Sequence, residues 1–584
     1  MAVAVTTRAY DNTRGGANTA ESVLTAPMVA SKGIIRLFSL RTQGDLRGAE
    51  AQPLFVPGVT LTDGSTRDVI YVATMANQVY AFDAEDGSQL WERTLGPPVT
   101  GSKAIDAWLI NDHWGVLSTP VIDVSTGTMY AVAWISSGGS VAKAEHFLCA
   151  ISIKDGRDVN PAVSLEGAAY DPGHGLPVQE FRSAARKQRA SLLLTSVNGV
   201  STIFVGFGTI AETSNTARGW VIACGTSPPQ VTAAWTSTAK GSGGGIWQAG
   251  AGLVADDQGF IYAMTGNGDF DGVTDFGESF VKLRYQPAQG TSNASLQLVD
   301  WWTPWTDDER TAGAPAVRSH AEALPSNFRA VSAGMGPEWG DMDLGSGGPV
   351  LLPSAGLVLG AGKDGILYVL DMNAMGQTTP AELANPAGNY AKLKSPPIFF
   401  TYYPGPALSP DPVNIQTLNL YWANRTHHHH GSPVLWDSPD LGPLLYCWGE
   451  NGNLRAWSVA ADGTVRYLAC GAEVASAQSP VAYGGMPGGM LTLSANGAEP
   501  HTGIVWATIP YKDANTQITN GRLLAYDATQ FGTFADGSKQ LRVIWDSQAE
   551  GLPFIYNKFN PPVVANGRVL VPTYDGGVDV YGLL

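Results

Sequence analysis

Four consecutive histidines, His427-His428-His429-His430, stand directly before Gly431-Ser432-Pro433 and form the most concentrated set of metal-ligating side chains in the sequence. In an extended chain successive side chains point to opposite sides, so His428 and His430 share one side and His427 and His429 the other. Two neutral imidazoles joined by Asp341, Asp343, Glu450 or His113 form a donor set for zinc, copper, nickel or iron rather than calcium. The other histidines, His146, His174, His320 and His501, read as loop or interface residues. Familiar catalytic signatures are missing: there is no P-loop, no G-x-S-x-G elbow and no H-E-x-x-H. The glycine run Gly241-Ser242-Gly243-Gly244-Gly245 is not followed by the Lys-Ser or Lys-Thr of a phosphate-binding helix, so phosphate chemistry is not expected.

The elements that must position such residues recur along the chain. Eight times a small residue, usually with a proline, opens a short apolar strand that runs into a turn and a second strand. The starts are Gln52-Pro53-Leu54, Thr119-Pro120-Val121, Ser191-Leu192-Leu193, Ala251-Gly252-Leu253, Gly348-Pro349-Val350, Ser432-Pro433-Val434, Ser479-Pro480-Val481 and Pro561-Pro562-Val563. A strand-built repeat of this period predicts an all-β fold, an eight-bladed β-propeller spanning residues 1–584 as one domain. The last repeat stops before a full blade is built, so the strand-like segment at about 33–40 is expected to supply its outer strand and close the ring, removing an exposed edge. Insertions at about 268–279 and 373–426 are expected to be loops over one face. Residues just before each innermost strand, and turns between the second and third strands, should face the channel mouth. That rule selects His113, Trp114, Arg189, Trp247, Asp341, Asp343, the histidine run and Lys558, with Glu212, Asn267, Lys363 and Glu450 from the turns.

The segment Tyr80-Ala81-Phe82-Asp83-Ala84-Glu85-Asp86-Gly87-Ser88-Gln89-Leu90-Trp91 resembles the tryptophan-docking repeat of the pyrroloquinoline quinone (PQQ) type propellers, the eight-bladed quinoprotein dehydrogenase fold. The C-terminal Val580-Tyr581-Gly582-Leu583-Leu584 resembles bacterial members of that group. The resemblance implies PQQ with calcium or a lanthanide, and an oxidoreductase acting on an alcohol or sugar. It implies Glu212 and Asn267 as metal ligands, and Trp247 as the aromatic floor under the quinone. Asp343 or Asp341 would be the base and Lys363 the cation that polarises the quinone carbonyl; Arg189 and Trp114 would be further cofactor-binding residues. A hard cation takes carboxylate and amide oxygens, and an aspartate would take the alcohol proton as hydride leaves. The adjacent cysteines found over the cofactor in many such enzymes are missing, and the arginine expected after them is replaced by the run Asn111-Asp112-His113-Trp114-Gly115. An acidic chain offers few substitutes for that arginine. The alternatives are a transition-metal enzyme using the histidine cluster without quinone, with His428, His430 and His113 as ligands, and a non-catalytic binding platform.

Bulk properties narrow the partners. Lysine plus arginine number 35 against 51 acidic residues, a net charge of −16 that disfavours nucleic acid and anionic lipid. No apolar run approaches the roughly 20 residues that cross a bilayer. The partner expected is a small-molecule substrate, with no nucleic acid and no membrane insertion. The start Met1-Ala2-Val3-Ala4-Val5 does not read as a leader, so the location is periplasmic or secreted if a leader was removed, and otherwise cytoplasmic. Of the four cysteines, Cys447 and Cys470 fall within one repeat and would be the pair to bond if any did.

Overall fold

The computed structural model describes residues 3–42, 49–101, 103, 105, 110–212, 214–304, 343–384, 387–396, 398–399, 428–478 and 485–584. Eight antiparallel sheets follow one another along the chain. Their innermost strands are Leu54–Thr60, Val121–Asp123, Leu193–Val197, Val254–Ala255, Val350–Leu352, Val434–Ser438, Met490–Ser494 and Val563–Ala565. These open blades 1 to 8.

The packing between blades shows that they form a ring. Eight buried apolar clusters each draw on two neighbouring blades. Tyr262 and Met264 of blade 4 meet Tyr368 and Leu370 of blade 5, and the set returns on itself where Phe55 and Ile70 of blade 1 meet Val563 and Leu570 of blade 8. The chain closes the ring with the strand Ile34–Arg41, which pairs antiparallel with the final strand Gly577–Leu583 and so completes blade 8. Arg36 binds Asp579 across this seam at 3.1 Å. The repeat signature has a steric basis: at Gly156, with φ +70°, an added Cβ would stand 2.7 Å from the indole of Trp91 in the preceding blade. The Trp91 Nε1–H donates to the Ile153 carbonyl at 3.2 Å, docking one blade on the next.

Residues 3–20 do something the repeat pattern does not foreshadow. They run around the inside of the ring and hydrogen-bond to every innermost strand. Val5 bridges Phe55, the Thr6 carbonyl accepts from Ile122, and Asn12 reaches both Leu194 and Ala255. The Thr13, Gly15 and Gly16 carbonyls accept from Leu351, Leu435 and Leu493, and the Val564 N–H donates to the Tyr10 hydroxyl. Arg14 is fully buried at the hub, donating to the carbonyls of Leu192 and Leu253 at 2.8 and 3.2 Å and to Thr7 Oγ1 at 2.5 Å. Burial lowers its guanidinium to about 10, so it stays charged at neutral pH.

Two expectations need correction. Blade 7 opens at Met490, after Gly488 and Gly489, and Ser479-Pro480-Val481, taken as its start, lies outside the described residues. The 373–426 insertion is not all loop where described: it holds the short helices Pro380–Ala384 and Ala387–Tyr390 and the outer strand of blade 5, Ile398–Phe399. All four cysteines are free thiols. Cys447 and Cys470 both flank Arg455 from strands on either side of it, two strand spacings apart and beyond disulfide reach.

His146 is an interface residue, stacked on Trp134 at 4.9 Å and edge-on to Phe207 at 5.1 Å. Burial pushes its imidazole down to about 3. The unfolded chain takes a proton near the ordinary value of 6.5, so this contribution to stability is complete above that value and drains as pH falls toward about 3, by roughly 1 kcal/mol per pH unit. Replacing His146 by Phe is expected to leave stability near pH 7 within about 1 kcal/mol and to flatten its decline between about pH 6 and 4, checked by denaturant unfolding at both pH values.

Candidate active site at the channel mouth

A cavity of about 320 Å³ opens at the mouth of the channel, where the segments leading into the innermost strands converge. Trp114 comes from before blade 2, Lys187 and Arg189 from before blade 3, Trp247 from before blade 4, Asp343 from before blade 5, His430 from before blade 6, and Lys558 and Phe559 from before blade 8. Glu212, Lys363 and Asn515 come from turns between second and third strands. Eight of the fifteen residues singled out in the sequence thus share one cavity: Trp114, Arg189, Glu212, Trp247, Asp343, Lys363, His430 and Lys558.

Trp247 is held by the glycine-rich backbone around it. A Cβ at Gly208 would stand 2.6 Å from its indole carbons, and one at Gly245 would stand 2.6 Å from its Nε1. Immediately after it Gln248 and Ala249 take φ values of 49° and 40°, a conformation that non-glycine residues adopt only when their surroundings impose it. Gln248 is anchored by donating to the Gly252 carbonyl at 2.8 Å.

Asp343 and Lys363 form the charged centre. Lys363 Nζ lies 2.8 Å from Asp343 Oδ2, and both side chains are almost fully withdrawn from solvent. Asp343 Oδ1 accepts the Asn267 N–H at 2.9 Å, and the Asp343 carbonyl accepts the Lys363 N–H at 3.0 Å. This seating needs glycine at 266, because a Cβ there would lie 2.0 Å from Asp343 Oδ1. Asn267 therefore reaches the site through its backbone, and it does not line the cavity. From the 268–279 loop, Asp275 accepts the N–H groups of Ala239, Lys240 and Gly241 and pins the glycine-rich segment.

Among the described residues, four cations line the cavity, Lys187, Arg189, Lys363 and Lys558, against two carboxylates, Glu212 and Asp343. This reverses the sign of the chain as a whole and corrects the expectation that an acidic protein has few substitutes for the missing cofactor arginine. Lys187 Nζ sits 3.9 Å over the Trp114 ring, and the Arg189 guanidinium 4.7 Å over Phe559. Behind them the buried Glu50 pairs with Arg189 at 3.3 Å. Burial opposes its ionisation, yet Arg189, Lys558 and Lys187 together hold its carboxyl below the ordinary value. Glu50 and Lys187 escaped the sequence reading although both precede innermost strands; the basic run Arg186-Lys187-Gln188-Arg189 in an acidic chain was the available signal.

The histidines alternate as an extended chain requires. His428 and His430 face one way, with rings 5.9 Å apart, and both reach Glu450. His429 turns away toward Gly347, and burial lowers it to about 3. His113 does not join the site: it pairs with Asp112 at 3.2 Å on the surface, because its neighbour Trp114 points inward and adjacent strand residues face opposite sides. Asp341 and His427 lie outside the described residues.

Comparison with known proteins follows the same line. The PQQ_2 family, described as outer membrane protein assembly factor BamB, matches residues 31–162. The fold itself is an eight-bladed β-propeller. Among solved structures the propeller is similar to a quinohemoprotein alcohol dehydrogenase from Pseudomonas putida HK5, at 13% identity and a TM-score of 0.49 over 100% of this chain and 80% of that one. It is similar to a second such enzyme, from Comamonas testosteroni, at 13% identity and 0.48 over 99% and 80%. A europium-containing methanol dehydrogenase gives 14% and 0.48 over 99% and 98%. No curated protein matches the sequence. No helix among the described residues is long and apolar enough to cross a membrane.

Because the Gly208 backbone abuts Trp247, Gly208→Ala is expected to displace the indole, altering the near-ultraviolet circular dichroism and lowering stability by about 1–3 kcal/mol in denaturant unfolding.

Proposed function

We propose that this protein is a quinoprotein-like oxidoreductase that oxidises an alcohol or sugar at the mouth of the propeller channel. The observation that carries the reading is the joining, in one 320 Å³ cavity, of an aromatic wall, a lysine-paired carboxylate and a surplus of cations. The donor set fits PQQ: Arg189, Lys187 and Lys558 would pair with its carboxylates, and the Trp247 face, wedged on glycine backbone, would support its plane. Glu212, which lines the cavity, would give an oxygen donor to calcium or a lanthanide, whereas Asn267, engaged through its backbone, is set aside as a ligand. The quinone, when bound, supplies the two-electron acceptor.

The chain's own residues then have distinct tasks. Asp343 is an anionic acceptor beside an ammonium at 2.8 Å, and it takes the substrate hydroxyl proton on a carboxylate oxygen. Lys363 holds that carboxylate in place and presents positive charge to the cavity. Asn267, bonded through its N–H to Asp343, fixes the second oxygen. The 268–279 loop rigidifies the glycine-rich segment before Trp247 through Asp269 and Asp275. A periplasmic or secreted location belongs to the same proposal. A pure binding platform gives no reason for so many ionised groups in one cavity, and the stretch matching the assembly-factor family contributes only Ile105 and Trp114 to its lining.

The test is reconstitution: the purified protein titrated with PQQ plus calcium or a lanthanide, followed by absorbance and dye-linked oxidation of alcohols and sugars. Near-stoichiometric uptake with turnover is expected; no uptake with either cation overturns the reading. Asp343→Asn should keep uptake and slow turnover by about 10²–10⁴-fold. Arg189→Ala or Lys558→Ala should weaken uptake by roughly 10–100-fold, the loss of one hydrogen bond to a charged group.

A further inference from the structure

We infer that His428, His430 and Glu450 form a binding site for a divalent transition cation of the zinc class, beside the cavity that His430 lines. Each offers one ligand atom, and the three atoms lie within 4.8 Å of one another. His430 Nε2 stands 2.8 Å from Glu450 Oε1 and His428 Nδ1 stands 3.8 Å from Glu450 Oε2. Metal arms of about 2.0–2.1 Å in a tetrahedron place ligand atoms about 3.3 Å apart, between these two separations, so small side-chain rotations admit the ion. Two imidazoles and a carboxylate suit a borderline cation, whereas calcium and magnesium favour all-oxygen cages.

The backbone fixes this geometry. The His428 carbonyl accepts the Glu450 N–H at 2.9 Å, tying the two ligand-bearing segments together. Between the two ligating histidines, the His429 N–H donates to the Gly362 carbonyl at 3.0 Å and its own carbonyl accepts Ser346 Oγ at 2.8 Å. That clamp on blade 5 keeps both neighbours turned to the other side. Glu450 and His430 are 2% and 3% exposed in their side chains, so their charge and dipole are screened little by water. His430 also lines the cavity, which places the cation site at its edge. The site shares none of its three ligands with the residues assigned to the quinone or its hard cation, so either can exist without the other.

Cobalt(II) and zinc are the probes, added to the full chain after chelator treatment and without quinone. The expected result is cobalt uptake near one equivalent with a tetrahedral-type visible band, displaced by zinc and unaffected by excess calcium. His428→Ala, whose side chain is partly exposed and whose loss leaves the fold intact, and Glu450→Gln should each weaken uptake at least 10-fold, while the surface variant His501→Ala should bind as the parent does. No cobalt uptake by the parent, or unchanged uptake in folded His428→Ala, overturns the site. Because the readout is metal binding alone, the result is separable from PQQ uptake.

Discussion

The backbone hydrogen bonds between residues 3–20 and the eight innermost strands are the constraint on which this architecture rests. Every blade of a propeller presents one strand to the central channel with half of its N–H and C=O groups unpaired. Here one segment answers all eight, and on seven blades its bond falls on the second residue of the innermost strand: Phe55, Ile122, Leu194, Ala255, Leu351, Leu435 and Val564. On blade 7 it falls on Leu493, where Ala17–Asn18 adds a short parallel ladder. Arg14 gives the hub a cation whose donors are spread over carbonyls of blades 3 and 4, so the level of the segment and the positions of the blades fix one another.

That arrangement explains how sequence-distant residues can be read as one site. Since the innermost strands are held at a common level, whatever precedes each of them emerges at a common height around the axis. The sequence rule worked for Trp114, Arg189, Trp247, Asp343 and His430 for this reason. It failed for His113, where a single step along a strand reverses the side chain's direction, and it passed over Glu50, which supports Arg189 from behind the wall. The repeat starts were legible because small residues and prolines at strand entries are a local steric requirement. Blade 7 was misplaced because Ser-Pro marks loops as readily as strand entries, while its true entry is marked by Gly488 and Gly489. The strand that closes blade 8 was legible from its apolar alternation. The inner segment was not: its bonds are mostly backbone to backbone, indifferent to side-chain type, and its partners lie up to 563 positions away.

Electrostatics distinguish the mouth from the rest of the molecule. A chain with 16 excess negative charges gathers four cations around one small volume and places Glu50 behind three of them as a buried counter-ion. The neutral majority of the surface does not compete for an anionic ligand, and the surrounding negative field discourages large polyanions from approaching. Under the proposed function, this contrast of local and global charge favours a small, compact anion.

The belt of residues 3–20 also sets the depth of the vessel. Because it spans the ring one residue below the strand entries, the pore of the propeller is a shallow cup with a floor. Whatever sits deepest must enter first, and whatever reacts above it must leave by the way it came. Under the proposed function, a cofactor resting on that floor would bind first and be held in place by the substrate above it.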